Sequence, residues 1–156
     1  GGAASEQGPR AARHLRLTGS PAEWQDHAMA MQKFASIADY DASRTPEALA
    51  ALDTVRALIA DLVPDAAERE ERFSYDLPTL FVRGKRIVHY AGWAEHLALY
   101  PVPESPPDDP NLREDLAPFI KGKGTLHFPY AVLFGQGSPS PLISRVISAH
   151  LTRALG

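Results

Sequence analysis

The chain has 156 residues, 44% of them hydrophobic, and a formal charge of -3. That length suits one domain with its own core, and the slight acidity gives no global attraction to nucleic acid or to an anionic membrane. Cysteine is absent, which excludes disulfides, thiolate metal sites and cysteine nucleophiles together, so any metal would need His, Asp, Glu or water.

Residues 1–33 are rich in Gly, Ala, Arg and Ser without sustained periodicity. They are expected to form a poorly ordered tail ahead of a single domain over 34–156. Met29 and Met31 fall where the tail ends, and the functional chain is expected to begin at one of them. A short helix around Gln25 to Ile37 is compatible with the pattern. No apolar run reaches the ~20 residues of a membrane span, and residues 1–33 lack the apolar h-region expected of a signal peptide. The default expectation is a soluble cytoplasmic protein.

From Thr45 the signals sharpen. Thr45 as N-cap, Pro46 at the first helical position and Glu47 in the first turn open a helix that Pro64 closes. Leu49, Leu52, Val55, Ile59 and Leu62 form its stripe. The charged run "DAAEREER" leads into "FSYDLPTLFV", where Phe73, Tyr75 and Leu77 alternate with Ser74 and Asp76 as a first strand. Arg83-Gly84 is a two-residue hairpin turn, and "RIVHYAGW" and "HLALYPV" follow as strands around a second turn at Ala94-Glu95. The proline-rich "PVPESPPDDP" is a stiff loop leading to a short helix ending near Leu116. A fourth strand carries Leu126 and Phe128 on one side and Thr125 and His127 on the other. Ser140 and Pro141 start a final helix with Ile143, Val146, Ile147, His150 and Leu151 near one face.

These elements predict an α+β fold: an antiparallel sheet of at least four strands, with the N- and C-terminal helices packed on one face. Alternation along the hairpin puts His89, Ala91 and Trp93 on one side, opposite Tyr100, Ala98 and His96. With a two-residue turn at Arg83-Gly84, Asp76 falls opposite Ala91 and Ser74 opposite Trp93. The face away from the helices should then carry Ser74, Asp76, His89, Trp93, His96, Tyr100 and His127.

Three motifs also identify a family. Ser74-Tyr75-Asp76-Leu77-Pro78, His96-Leu97-Ala98-Leu99-Tyr100-Pro101 and Lys123-Gly124-Thr125-Leu126-His127-Phe128, in that order, resemble the Ser-Tyr-Gly-Met-Pro-like, His-Ile-Gly-Phe-Tyr-Pro-like and Lys-Gly-Thr-Ile-Gln-Phe-like pieces of the YdhG-like family. The resemblance covers roughly residues 35 to 155. It implies a frataxin-like fold and, because some members are described as intracellular iron chaperones, a role in iron handling. Asp76 stands where the family has Gly and His127 where it has Gln, which adds a carboxylate and an imidazole.

Asp76, His89, His96 and His127 are the metal candidates, since two histidines and a carboxylate suit ferrous iron, or zinc; the plain alternative is a solvated sheet face. Ser74, Trp93, Tyr100 and Lys123 are the candidates for ligand binding: Trp93 and Tyr100 as aromatic platforms, unless the proline-rich loop or the tail folds over them, and Lys123 in "KGKG" as an anion contact. Asp61, Asp65, Glu68, Glu70, Glu71, Glu104, Asp108 and Asp109 are a second, acidic candidate, of the kind that binds iron weakly in frataxin-type proteins. The expected function is a non-enzymatic binding protein that carries Fe(II) on labile O and N ligands to an acceptor protein. Competing expectations are a small-molecule binder or enzyme using the His, Trp and Tyr face, and a homodimer that buries it.

Overall fold

The structure is a computed structural model that describes residues 33–156; the expectations for the tail, and for a helix starting at Gln25, lie outside the described residues. Helix α1, Ile37–Ala42, begins where the Ser36 hydroxyl accepts the Asp39 N–H at 3.1 Å. Helix α2, Pro46–Leu62, has the expected cap: the Thr45 hydroxyl accepts from the Ala48 N–H, and Pro46 occupies the first turn. Its buried stripe is Ala48, Ala51, Leu52, Val55 and Ile59, rotated slightly from the expected one, so that Leu49 and Leu62 sit at the margin.

The first expected strand is two strands. β1, Arg69–Ser74, and β2, Leu77–Val82, are joined at Tyr75 and Asp76, both of which take positive φ, 54° and 61°. Two consecutive left-handed residues make the tight turn whose twist matches a hairpin. Asp76 therefore lies in a turn rather than opposite Ala91, and Ser74 pairs with Leu77 rather than Trp93. β3, Lys85–Gly92, follows the expected two-residue turn, with Arg83 and Gly84 at φ 51° and 79°. β4 is His96–Tyr100. After the proline-rich loop come α3, Leu112–Leu116, the two-residue β5, Ile120–Lys121, and β6, Thr125–Pro129. A single turn, α4, Tyr130–Leu133, precedes α5, Ser140–Leu155.

All six strands form one antiparallel sheet in the order β1-β2-β3-β4-β6-β5. Helices α2 and α5 lie together on one face, over Leu80, Val82, Val88, Tyr90, Leu97, Leu99, Leu126 and Phe128. The expected α+β class and one-sided helix layer are present. Between Leu80 and Phe81 the β2–β3 register slips by one residue, so Ile87 and Val88, neighbours in sequence, both reach the core.

Gly92 sets how closely α2 approaches. A Cβ there would stand 3.0 Å from the Ala48 Cβ, 3.2 Å from the Ala48 carbonyl oxygen and 3.4 Å from Leu52 Cδ1. The Gly92 N–H is also held by the Tyr40 hydroxyl, and its carbonyl accepts from Arg44. Gly92→Ala should therefore cost about 2 kcal/mol through overpacking, read as a lower urea midpoint at constant m-value. An unchanged midpoint would mean that α2 slides freely over the sheet.

Candidate functional site

The helix-free face is built from three cross-strand rungs. Arg72, Thr79, His89 and Tyr100 lie on one, Ala91, Ala98 and His127 on the next, and Trp93 faces His96 at the end. The expected division of the β3–β4 hairpin holds residue by residue. Trp93 donates its ring N–H to the Tyr100 hydroxyl at 2.9 Å. These two side chains, one on either side of the alanine rung, meet across it. That explains why Ala91 and Ala98 are small: with Leu77 and Tyr100 packed against them, Ala91, Ala98 and Trp93 form a minor core, 0%, 0% and 3% exposed. Trp93 is thus not the open platform expected from sequence. It braces the sheet, and its polar atom is already used.

The imidazoles are what this face offers. His96 and His127, on adjacent strands and diagonal to one another, stack with ring centroids 3.6 Å apart and planes 21° from parallel. Burial, the neighbouring His96 and Lys121 lower the His127 pKa to about 4, so this ring is neutral at pH 7 with a lone pair available. His89 is lowered to about 4 by burial, then by Arg86 and His150. Its Nδ1 lies 2.7 Å from the Thr79 hydroxyl, which donates to the Leu77 carbonyl oxygen at 2.9 Å.

Tyr75 stands at the rim, 75% exposed, with its ring edge-on to His89 at 5.7 Å and the Arg86 guanidinium 5.2 Å from its centre. Nothing in the sequence marked Tyr75 as a rim residue while its segment read as one strand.

The four expected metal ligands are not assembled. Asp76 sits in the β1–β2 turn and pairs with Lys33 at 3.3 Å, His89 is engaged by Thr79, and only His96 and His127 adjoin. Among the described residues no three His, Asp or Glu side chains form a group that could hold a metal ion. Ser74 is at the end of β1, 3.4 Å from an Arg86 nitrogen. Lys123 is exposed in the β5–β6 turn, away from Trp93 and Tyr100.

The acidic candidates are largely committed to arginines. Glu68 pairs with Arg83, Glu70 with Arg72, Glu71 with Arg56, Glu104 with Arg113 and Asp109 with Arg145. The Asp65 carboxylate caps a turn through the Ala67 N–H.

Among the described residues no helix is long and apolar enough to cross a membrane. Comparison with known protein families, with characterised proteins and with solved structures gives no match for this chain.

Proposed function

We propose that the chain is a non-enzymatic binding protein that takes a divalent metal ion, Fe(II) in the first instance, transiently at the His96–His127 pair on the helix-free face. The observation that carries this is the juxtaposition of two imidazoles on neighbouring strands, one of them held neutral at physiological pH. Unprotonated imidazole is the form that binds metal, and it suits iron and zinc alike. The stacked rings would have to turn apart to present their nitrogens. Two protein ligands with water completing the shell make a weak bond, as a carrier that hands its cargo to an acceptor requires. The preference for Fe(II) over Zn(II) is supported by the resemblance of the three sequence motifs to the YdhG-like family. Among the described residues no nucleophile with a positioned base and an oxyanion site is evident on this face, which favours binding over catalysis.

Anaerobic titration with Fe(II) and with Zn(II), followed by histidine NMR, tests this. Saturable shifts confined to His96 and His127, with affinity reduced at least about tenfold in the H96A/H127A double variant, are expected. Absence of saturation, or binding unchanged in the double variant, would end the metal reading. The face would then be a docking surface for a small molecule reached through Tyr75, or for a second copy of the chain.

A further inference from the structure

We infer that the chain has a second, separate ligand site, a cleft on the helix side of the sheet that takes a small apolar monocarboxylate. Helices α2 and α5 cover the middle of the sheet, and β1 lies at its edge. The gap left between α2 and β1 is a cleft of about 320 Å³, at the small end of the range for small-molecule sites.

The cleft divides into a polar and an apolar part. Ile59, Ala66 and Leu80 supply hydrocarbon wall. Arg56, Glu71 and Tyr90 also line it, but this group is satisfied internally: the Arg56 guanidinium is clamped by both Glu71 oxygens and both Asp41 oxygens. It offers a ligand a rigid surface rather than a free charge.

Arg69 differs. It is partly buried, it lines the same cleft, and one of its nitrogens donates to the Val63 carbonyl at 3.1 Å at the end of α2. Among the described residues no carboxylate pairs with it, whereas Glu70 and Glu71 are taken by Arg72 and Arg56. A partly desolvated guanidinium with open donors beside hydrocarbon is matched by a carboxylate on an apolar body, because the planar fork can meet both oxygens. The two nearby glutamates oppose a second negative charge, so a monoanion fits where a phosphate dianion does not.

The arrangement was hidden in "EREER", which reads as a solvated charge run until alternation along an edge strand turns Arg69 and Glu71 inward.

The test is a methyl and amide NMR titration of the full chain with benzoate, with benzylamine and inorganic phosphate run in parallel. Benzoate should saturate and move Ile59, Ala66 and Leu80, while the other two leave these signals in place. Arg69→Gln should weaken benzoate about tenfold through loss of the charge-assisted pair, with Arg69→Lys intermediate. The inference is overturned if benzoate does not saturate, if it maps elsewhere, if phosphate or benzylamine binds the cleft equally well, or if Arg69→Gln binds benzoate as the parent does. Should Arg69→Gln not fold, the comparison of the three probes on the unmodified chain decides alone.

Discussion

Arg56→Ala is expected to destabilise the fold by about 3 kcal/mol, a fall of roughly 10 °C in Tm for a chain of this size. Arg56 is on α2, Asp41 on α1 and Glu71 on β1, and their side chains are only about a quarter exposed, at 24%, 25% and 24%. Nε and Nη2 reach Glu71 at 3.0 and 2.8 Å, and Nη1 and Nη2 reach Asp41 at 3.0 Å each. Burial pulls the guanidinium toward its neutral form, yet the hydrogen bonds it donates to Glu71 and Asp41 outweigh that and keep it charged, its already high pKa raised further. The near-buried Tyr90 hydroxyl is held well above its ordinary pKa, first by burial and then by the Glu71 charge. Removing Arg56 would leave two carboxylates facing one another without a counter-charge, which is where the cost of breaking such a group lies. Replacing Asp41 and Glu71 by Asn and Gln in the Arg56→Ala background should recover part of the loss, because the stranded charges are gone. The measurement is chemical denaturation of the parent, the single variant and the triple variant. A single-variant loss within about 0.5 kcal/mol, the scale of an ordinary surface change, would show that the triad is solvated and does not fix α1 and α2 to the sheet edge.

That triad also marks where the sequence could and could not be read. The Thr45-Pro46 cap, the Arg83-Gly84 turn and the outward position of His127 were legible, because caps, glycine turns and period-two alternation are local signals. β1 was not, since "REER" has the composition of a loop, and its inward Glu71 makes sense only once Arg56, 15 residues earlier, is opposite. Treating residues 73–82 as one strand then carried Asp76 onto the face. Two cues opposed it. Pro78 has no N–H to donate to a ladder, and Asp76 stands where the resembled motif has Gly, a residue suited to the left-handed turn that Tyr75 and Asp76 adopt. The Trp93–Tyr100 bond was likewise invisible, although the paired alanines at 91 and 98 left room for it. Side-chain direction is fixed by alternation, but which long side chains close over a small rung depends on rotamers that no local pattern encodes.

Acidification from pH 6.5 toward 4 should weaken the fold progressively, with His89 alone contributing about 1–2 kcal/mol after allowance for its partial solvation and His150 adding in the same sense. The sign follows from depressed pKa values. His89 falls from 6.5 to about 4, through burial and then the charges of Arg86 and His150. His150 is lowered by burial, partly offset by its bond to Pro101 and reinforced by Arg153. Below pH 6.5 the unfolded chain therefore takes up protons that the native state still refuses, so stability present at neutral pH drains away until the folded histidines titrate too. The geometry at His150 gives the reason. It is 1% exposed, its Nε2 lies 2.8 Å from the Pro101 carbonyl oxygen and must donate to it, and among the described residues its Nδ1 has no hydrogen-bond partner. Protonating Nδ1 would put an N–H and a positive charge into the core between α5 and the β4 exit, with no acceptor for either. His150→Gln can keep an N–H toward Pro101 without the titration, and His89→Gln removes the second group. Urea unfolding of the parent and the double variant between pH 7 and pH 5, above most of the carboxylate range, isolates the effect. The parent should lose stability with falling pH and the double variant distinctly less, keeping only the share of His127, whose pKa is lowered to about 4 in the same way. Equal slopes would assign the acid sensitivity to His127 and the Arg-paired carboxylates and remove His89 and His150 from the account.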